Sequence, residues 1–341
     1  MLRRFPVGKL PPRVLENLLA RCPIPKRSAV VIGPRLGEDA AVIDFRANYL
    51  VAKTDPITFT AERIGWYAVS VNANDIATSG ARPRWFLATL LLPEKGSSQA
   101  LVRSIFRDIL HACRDLGVTL AGGHTEITTG LDRPIVVGLM LGEVGKPKLI
   151  RKESQRPGDV VLLTKGVAVE GTAILAHEKQ RELNRKLGKA LVRRAQRFLF
   201  QPGISVVRDA RLAARHGEVH AMHDPTEGGL LSGLYELAHA GGVGLRIWED
   251  RVPVLSETQA MSRALGFDPL ALIASGALLV VLTRRSTDAV LRAYRRSGIR
   301  AAIIGEVTRR AEGIQMLDGA GKPRPLRVPA RDEIARLLEG A

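Results

Sequence analysis

The segments AAVIDF (40–45) and YLVAKT (49–54) are rich in apolar and β-branched residues, and a short break, Arg46-Ala47-Asn48, separates them. They read as two strands of one hairpin. A turn centred near Ala47 sets residue 45 against 49 and, by the same count, Asp39 against Asp55. A one-residue slip of the turn staggers the two acids without parting them. Carboxylates opposed across a strand pair repel and weaken the sheet unless a cation lies between them. Such a hairpin is a poor structural choice and a good place for a divalent metal. Lys53, beside Asp55, is read as a surface charge turned to the opposite face.

Strand and helix patterns alternate on either side of this hairpin. A short amphipathic helix is expected at 11–22 and a strand at 29–32. Beyond the hairpin follow a helix (61–78), a strand (85–92), a helix (98–116), a short strand (118–121) and a strand (134–144). The order suggests α+β with antiparallel or mixed pairing rather than a doubly wound sheet. The stretch GKPKLIRKESQRPGD carries Gly, Pro and charge, and it marks the boundary between a first domain (1–150) and a second (151–341). The second half repeats the alternation: VVLLT (160–164) and VHAMHD (219–224) as strands, with helices such as 228–241 and 286–297 between further strands at 277–283 and 301–308.

Apolar residues at 45% and charged residues at 25% are ordinary for a globular chain, and no apolar run approaches a bilayer span. Cys22 and Cys113 stand far apart and form no C-x-x-C, so reduced thiols in the cytoplasm are expected. A net charge of +17 raises nucleic acid as a partner. Its bases are scattered, and aromatics at 4% leave few stacking platforms, so nucleic acid is not the expected partner. The same charge favours anionic, phosphate-bearing ligands.

Three further segments carry chemistry. In NANDIATSGA, helical spacing puts Asn72, Asp75 and Ser79 on one side, next to the stripe expected to be buried. A carboxylate there must be paired or bind a metal, unless it is an exposed helix-end acid or a cap. In AGGHTEITTG, Gly122 and Gly123 allow close backbone approach, and His124, Thr125 and Glu126 follow; a plain glycine turn facing water is an equal reading. In HDPTEGGL, Asp224 or Thr226 could cap a helix, while Gly228 and Gly229 offer backbone N–H groups suited to phosphate. Lys165, after VVLLT, is either a phosphate donor or a solvated loop lysine.

Taken together, the segments resemble the aminoimidazole ribonucleotide synthetase (PurM-like) superfamily, which includes HypE, selenophosphate synthetase and thiamine-monophosphate kinase. The resemblance rests on GEDAAVI (37–43), KTDPIT (53–58), NANDIATSGARP (72–83), GGHTE (122–126), RPGDVVLLTKG (156–166), HDPTEGGL (223–230) and LGFDPLALIASGALLVVL (265–282). The second half looks most like HypE. The resemblance implies a two-domain PurM-like α+β protein with an N-terminal α/β domain whose strands join a partner's in a dimeric barrel. A C-terminal α/β sandwich domain would complete it. It further implies ATP in a cleft by that interface, and Mg2+ held by Asp39, Asp55 and Asp75. Asp224 would face the same cleft. Asn74, Gly122, Gly123, Thr226, Gly228 and Gly229 fall within its nucleotide-binding motifs.

Departures qualify the match. The family's GGDT reads GGHT, so His124 replaces a metal-binding acid, and Glu126 is the candidate to supply the charge instead. The chain ends ARLLEGA, without the cysteine tail of HypE proteins, so a HypE-like branch lacking that tail is expected. The expected activity is ATP- and Mg-dependent phosphorylation of an amide-like or hydroxyl oxygen, on a small-molecule or protein-bound acceptor. Lys165, His124 and Glu126 are the candidates for catalytic contacts. The competing readings are a thiamine-monophosphate-kinase-like small-molecule kinase and a non-catalytic ATP-binding scaffold.

Overall fold

The structure, a computed structural model, describes residue 5 and residues 7–339, and the chain divides into two compact units. One unit holds residues 24–33 and 39–149. The other holds the described residues up to 23, residues 34–38 and those from 150 on. The break near 150 lies in the Gly-, Pro- and charge-rich stretch. The first helix, α1 (Pro12–Leu19), belongs with the C-terminal unit rather than with the strands that follow it.

The N-terminal unit runs β1 (Val30–Ile32), β2 (Ala41–Phe45), β3 (Asn48–Ile57), α2 (Ile64–Thr78), β4 (Arg82–Pro93), α3 (Gln99–Leu116), β5 (Thr119–Thr128) and β6 (Ile135–Gly145). Its strands form one sheet in the order β1-β2-β3-β6-β4-β5. Only β4 and β5 pair in parallel, and α3 supplies the crossover that a parallel pair requires. Ser98 caps α3 by accepting from the Leu101 N–H, and Gly117 ends it at φ 65°. Helix α2 is apolar around nearly its whole circumference and almost entirely buried, as a helix of that composition must be.

The α2 helix lies on the sheet face lined by Val51, Lys53, Asp55 and Ile57 of β3 and by Gly138 and Met140 of β6. Gly138 shows how close the layers come: a Cβ there would stand 2.3 Å from Asn72 Nδ2. That amide donates to the Asp55 carbonyl (3.2 Å) and to Ala68 (2.8 Å), tying the helix to β3.

In the C-terminal unit the order is β7 (Val160–Thr164), α4 (Val169–Glu178), α5 (Gln180–Leu187), α6 (Lys189–Gln196), α7 (Val207–His216), β8 (Val219–His223) and α8 (Gly229–Gly241). It continues through β9 (Gly244–Trp248), α9 (Ser256–Leu265), β10 (Leu279–Leu282), α10 (Thr287–Arg296), β11 (Ala301–Thr308), β12 (Ile314–Leu317), β13 (Pro323–Pro325) and α11 (Glu333–Leu338). The sheet order is β13-β12-β9-β11-β7-β10-β8. Every residue of β7 and β10 is buried, which is why both read as unbroken apolar runs. No helix among the described residues is long and apolar enough to cross a membrane.

Candidate functional site: a carboxylate cluster around a lysine

The hairpin closes through a two-residue turn, with Phe45 opposite Asn48 and Ala41 opposite Ala52. Arg46 takes φ 58° to make it. The count therefore slips by one from a turn centred on Ala47, and Asp39 leaves the ladder before β2 begins. Asp39 and Asp55 nonetheless both lie close enough to Asp75 to act on its charge. An oxygen of Asp39 lies within 4.8 Å of one of Asp75. The Lys53 ammonium stands 3.2 Å from Asp75 and 3.5 Å from Asp55.

This corrects the reading of Lys53 as a charge on the opposite face. Residues 53 and 55 are two apart on one strand, so they share a face, and that face looks onto α2. Asp75 follows Asn72 along α2 and is 3% exposed. Burial pushes its carboxyl up to about 7; the Lys53 charge opposes the rise, while Asp55 and Asp39 add to it. Asn74 is buried on the same helix, and Ser79 caps its end by donating to the Ile76 carbonyl. Two carboxylates on one cationic centre, with a third beside Asp75, are the hard oxygen donors that Mg2+ takes. The residues present fit that ion, and the Lys53 ammonium marks where a cation is held.

His124 and Glu126 are not part of this cluster within the chain. The GGHTE segment is no turn; it is the middle of β5, which runs on to Thr128. Along the sheet, Asp55 faces Gly138, Gly138 faces Ala88, and Ala88 faces Gly123. Three strand spacings of about 4.8 Å therefore separate β3 from β5, roughly 14 Å. Gly123 is explained by its neighbour strand, since a Cβ would stand 2.0 Å from the Ala88 carbonyl oxygen. His124 and Glu126 pair with each other at 3.1 Å on the exposed edge.

In the C-terminal unit the two glycines of the Asp224–Gly229 turn do not offer free amides. The Gly228 N–H donates to Asp332 and the Gly229 N–H to the Thr226 carbonyl. Neither Asp224 nor Thr226 caps α8; Gly228 is the N-cap position, and no side chain caps the helix. Thr226 Oγ1 accepts instead from Lys9 (3.0 Å), and Asp224 is 1% exposed at the end of β8. Beside it, Lys152 Nζ lies 3.0 Å from His223 Nδ1, and His223 Nε2 lies 3.0 Å from Glu236. An ammonium can only donate, so Nδ1 accepts and Nε2 carries the proton. No metal-type spacing in the sequence announces this relay.

Lys165 is a structural lysine. Its ammonium donates to the Gly203 and Ser205 carbonyls at 3.2 and 2.6 Å and stands 3.5 Å from the buried Asp209. Burial lowers its pKa, and the Asp209 charge opposes that shift.

Two acids that sequence reasoning missed, Glu170 at the start of α4 and Asp332 before α11, are buried close enough to feel each other. Burial raises Glu170 to about 7, the neighbouring polar groups of Ser275 oppose this, and Asp332 and Glu227 add to it. Burial likewise raises Asp332 to about 6, against N–H groups of Ile334, Gly228 and Ile273 that favour its charge. A raised acid binds its proton more tightly when folded. Its stabilising effect is therefore complete below the unfolded value and is lost as pH climbs through the folded one. Stability should fall between about pH 4.5 and 7. Glu170→Gln should flatten that fall and stabilise the protein above pH 7 by roughly 3 kcal/mol. Urea melts across that range check both effects.

With this geometry established, likeness to known proteins defines the class. Residues 37–144 match the family described as AIR synthase related protein, N-terminal domain. Residues 156–317 match its C-terminal domain. The chain belongs to the AIR synthase-related, PurM-like family, with the two-domain fold of that family.

Within the family it is HypE-like. It is 31% identical over 289 residues to carbamoyl dehydratase HypE of Cupriavidus necator, covering 80% of this chain and 77% of that one. It is 28% identical over 315 residues to a putative hydrogenase expression/formation protein of Methanocaldococcus jannaschii, covering 90% of both. The solved structure of the hydrogenase maturation protein HypE in complex with ATP superposes with a TM-score of 0.71 at 26% identity, covering 89% and 92% of the two chains.

Proposed function

We propose that the protein is an ATP- and Mg-dependent enzyme of the AIR synthase/HypE type that phosphorylates an amide-type oxygen of its substrate and then expels the phosphate. The observation that carries this reading is the meeting of acids from three separate segments: Asp39 lies beside Asp75, and Asp75 shares the Lys53 ammonium with Asp55. Magnesium held there would offset the charge spread over the γ-phosphoryl oxygens. The chain's own residues orient and neutralise: β3 and α2 fix two of the acids, and Asn72 locks those elements together.

The amide acceptor is favoured because the relative from Cupriavidus necator is a carbamoyl dehydratase. For a group R–CONH2, the oxygen takes the γ-phosphoryl group as ADP leaves. The C–O bond then breaks with release of inorganic phosphate, and two N–H protons are lost to leave R–CN. Incubation with ATP, Mg2+ and carbamoylated or amide-bearing metabolites, followed by mass spectrometry, tests the reading. A product lighter than its precursor by one water, with one ADP and one phosphate per turnover, is expected. A phosphorylated product would instead assign a kinase, and absence of Mg-ATP binding would remove the enzymatic reading altogether.

The protein is also proposed to work as a homodimer in the cytoplasm, where ATP is supplied and its free thiols, Cys22 and Cys113, stay reduced. Support for the dimer comes from the sheet face turned away from α2. That face presents Trp85 and Leu139, 37% and 36% exposed, and ends in the uncovered edge strand β5. Apolar faces and open edges of this kind are ordinarily covered by a partner. Light scattering should give twice the chain mass, and Leu139→Arg should halve it.

A further inference from the structure

Lys53 is a cation built into the place where the proposed metal would bind. It reaches there from β3, is 22% exposed, and contacts the carboxylates of Asp55 and Asp75, which come from different elements. Asp75 is nearly enclosed, so its charge in the metal-free protein is met by Lys53 rather than by water. A divalent ion bridging Asp55 and Asp75 would compete for the same oxygens and force the ammonium away. A displaced ammonium beside a metal needs an anionic partner of its own, and phosphate oxygens are the anions that the nucleotide brings.

We infer that Lys53 is a resident counter-ion that holds the metal carboxylates closed until nucleotide arrives, and then becomes a phosphate-binding residue. This rests on the Mg-ATP reading above and adds to it a coupling between metal and nucleotide. Metal alone must break the lysine pairs without recompense, so its affinity is held down. Nucleotide gives the released ammonium a new partner, so the two ligands bind with positive coupling. The Asn72 amide, bonded to the Asp55 backbone, keeps the acids in place while the lysine exchanges partners.

The test is a binding cycle that needs no turnover. Mn2+ is titrated by electron paramagnetic resonance without nucleotide, and a non-hydrolysable ATP analogue is titrated with and without Mg2+. For Lys53→Met, affinity for Mn2+ alone should rise by about tenfold, and metal–nucleotide coupling, of the usual 5–150-fold size, should shrink towards unity. Lys53→Arg should keep metal-alone binding weak, because the cation remains; Lys53→Gln replaces the Met variant should the latter not fold. Unchanged or weaker Mn2+ binding in the folded neutral variants, with coupling intact, would overturn the inference. If parent and variants alike fail to bind Mg-nucleotide, the underlying reading has failed instead, and the inference goes with it.

Discussion

Asp75→Asn should yield a folded protein whose Mg-ATP turnover is lower by about a hundredfold or more, since residues merely adjacent to a metal's ligands already cost ~10–100-fold. Asp75 is the most enclosed of the three acids and the one that both Asp39 and Lys53 approach. The metal-free variant should melt no lower than the parent at neutral pH. Its native carboxyl is pushed up to about 7 by burial, so the charged form is disfavoured in the fold. The stability that the protonated acid contributes is lost as pH rises from the ordinary carboxylate range through 7, and an uncharged amide avoids that loss. Isothermal titration with Mg-ATP and a thermal melt separate the two effects. Binding indistinguishable from the parent's would remove Asp75 from the site.

Lys165→Met should destabilise the protein by about 3–5 kcal/mol, the usual consequence of leaving one member of a buried ion pair behind. Asp209 is 2% exposed and would lose its counter-charge, and two carbonyls would lose their donor. The double variant Lys165→Met, Asp209→Leu should recover much of the loss, and the cycle measures the pair. The folded fraction of Lys165→Met should bind Mg-ATP as the parent does. A binding defect with normal stability would return Lys165 to the list of catalytic candidates.

The contrast between Lys53 and Lys165 shows what could be read from the chain. Lys53 lies within a strand and Lys165 directly follows one, and neither has a motif that decides its partner. Lys53 was legible in principle, because two-residue spacing places it with Asp55 on one face. Its bond to Asp75 was not, because that depends on how α2 settles on β3. Lys165 follows a strand as a loop lysine would, and only the fold brings Gly203, Ser205 and Asp209 to it. Glycine pairs behave alike: GG at 122–123 is open between close backbone approach and a turn facing water, and GG at 228–229 between phosphate-binding amides and a capped helix start. Neighbouring backbone settles Gly123, through the close approach of Ala88, while Asp332 and Thr226 take the amides of the second pair.

Alternation of apolar and polar residues along strands, and the apolar runs of β7 and β10, marked most elements from the sequence by itself, though not the extension of β5 through GGHTE. Those patterns are local, and burial of apolar surface enforces them wherever the elements dock. The motif order likewise singled out Asp39, Asp55 and Asp75, and the fold brings the first two close to the third. Tertiary structure alone decided which cation Asp55 and Asp75 share and which glycine amides are spent. It also decided how far His124 lies from them, because hydrogen bonds and ion pairs between distant segments depend on ångström-scale placement that no spacing rule encodes.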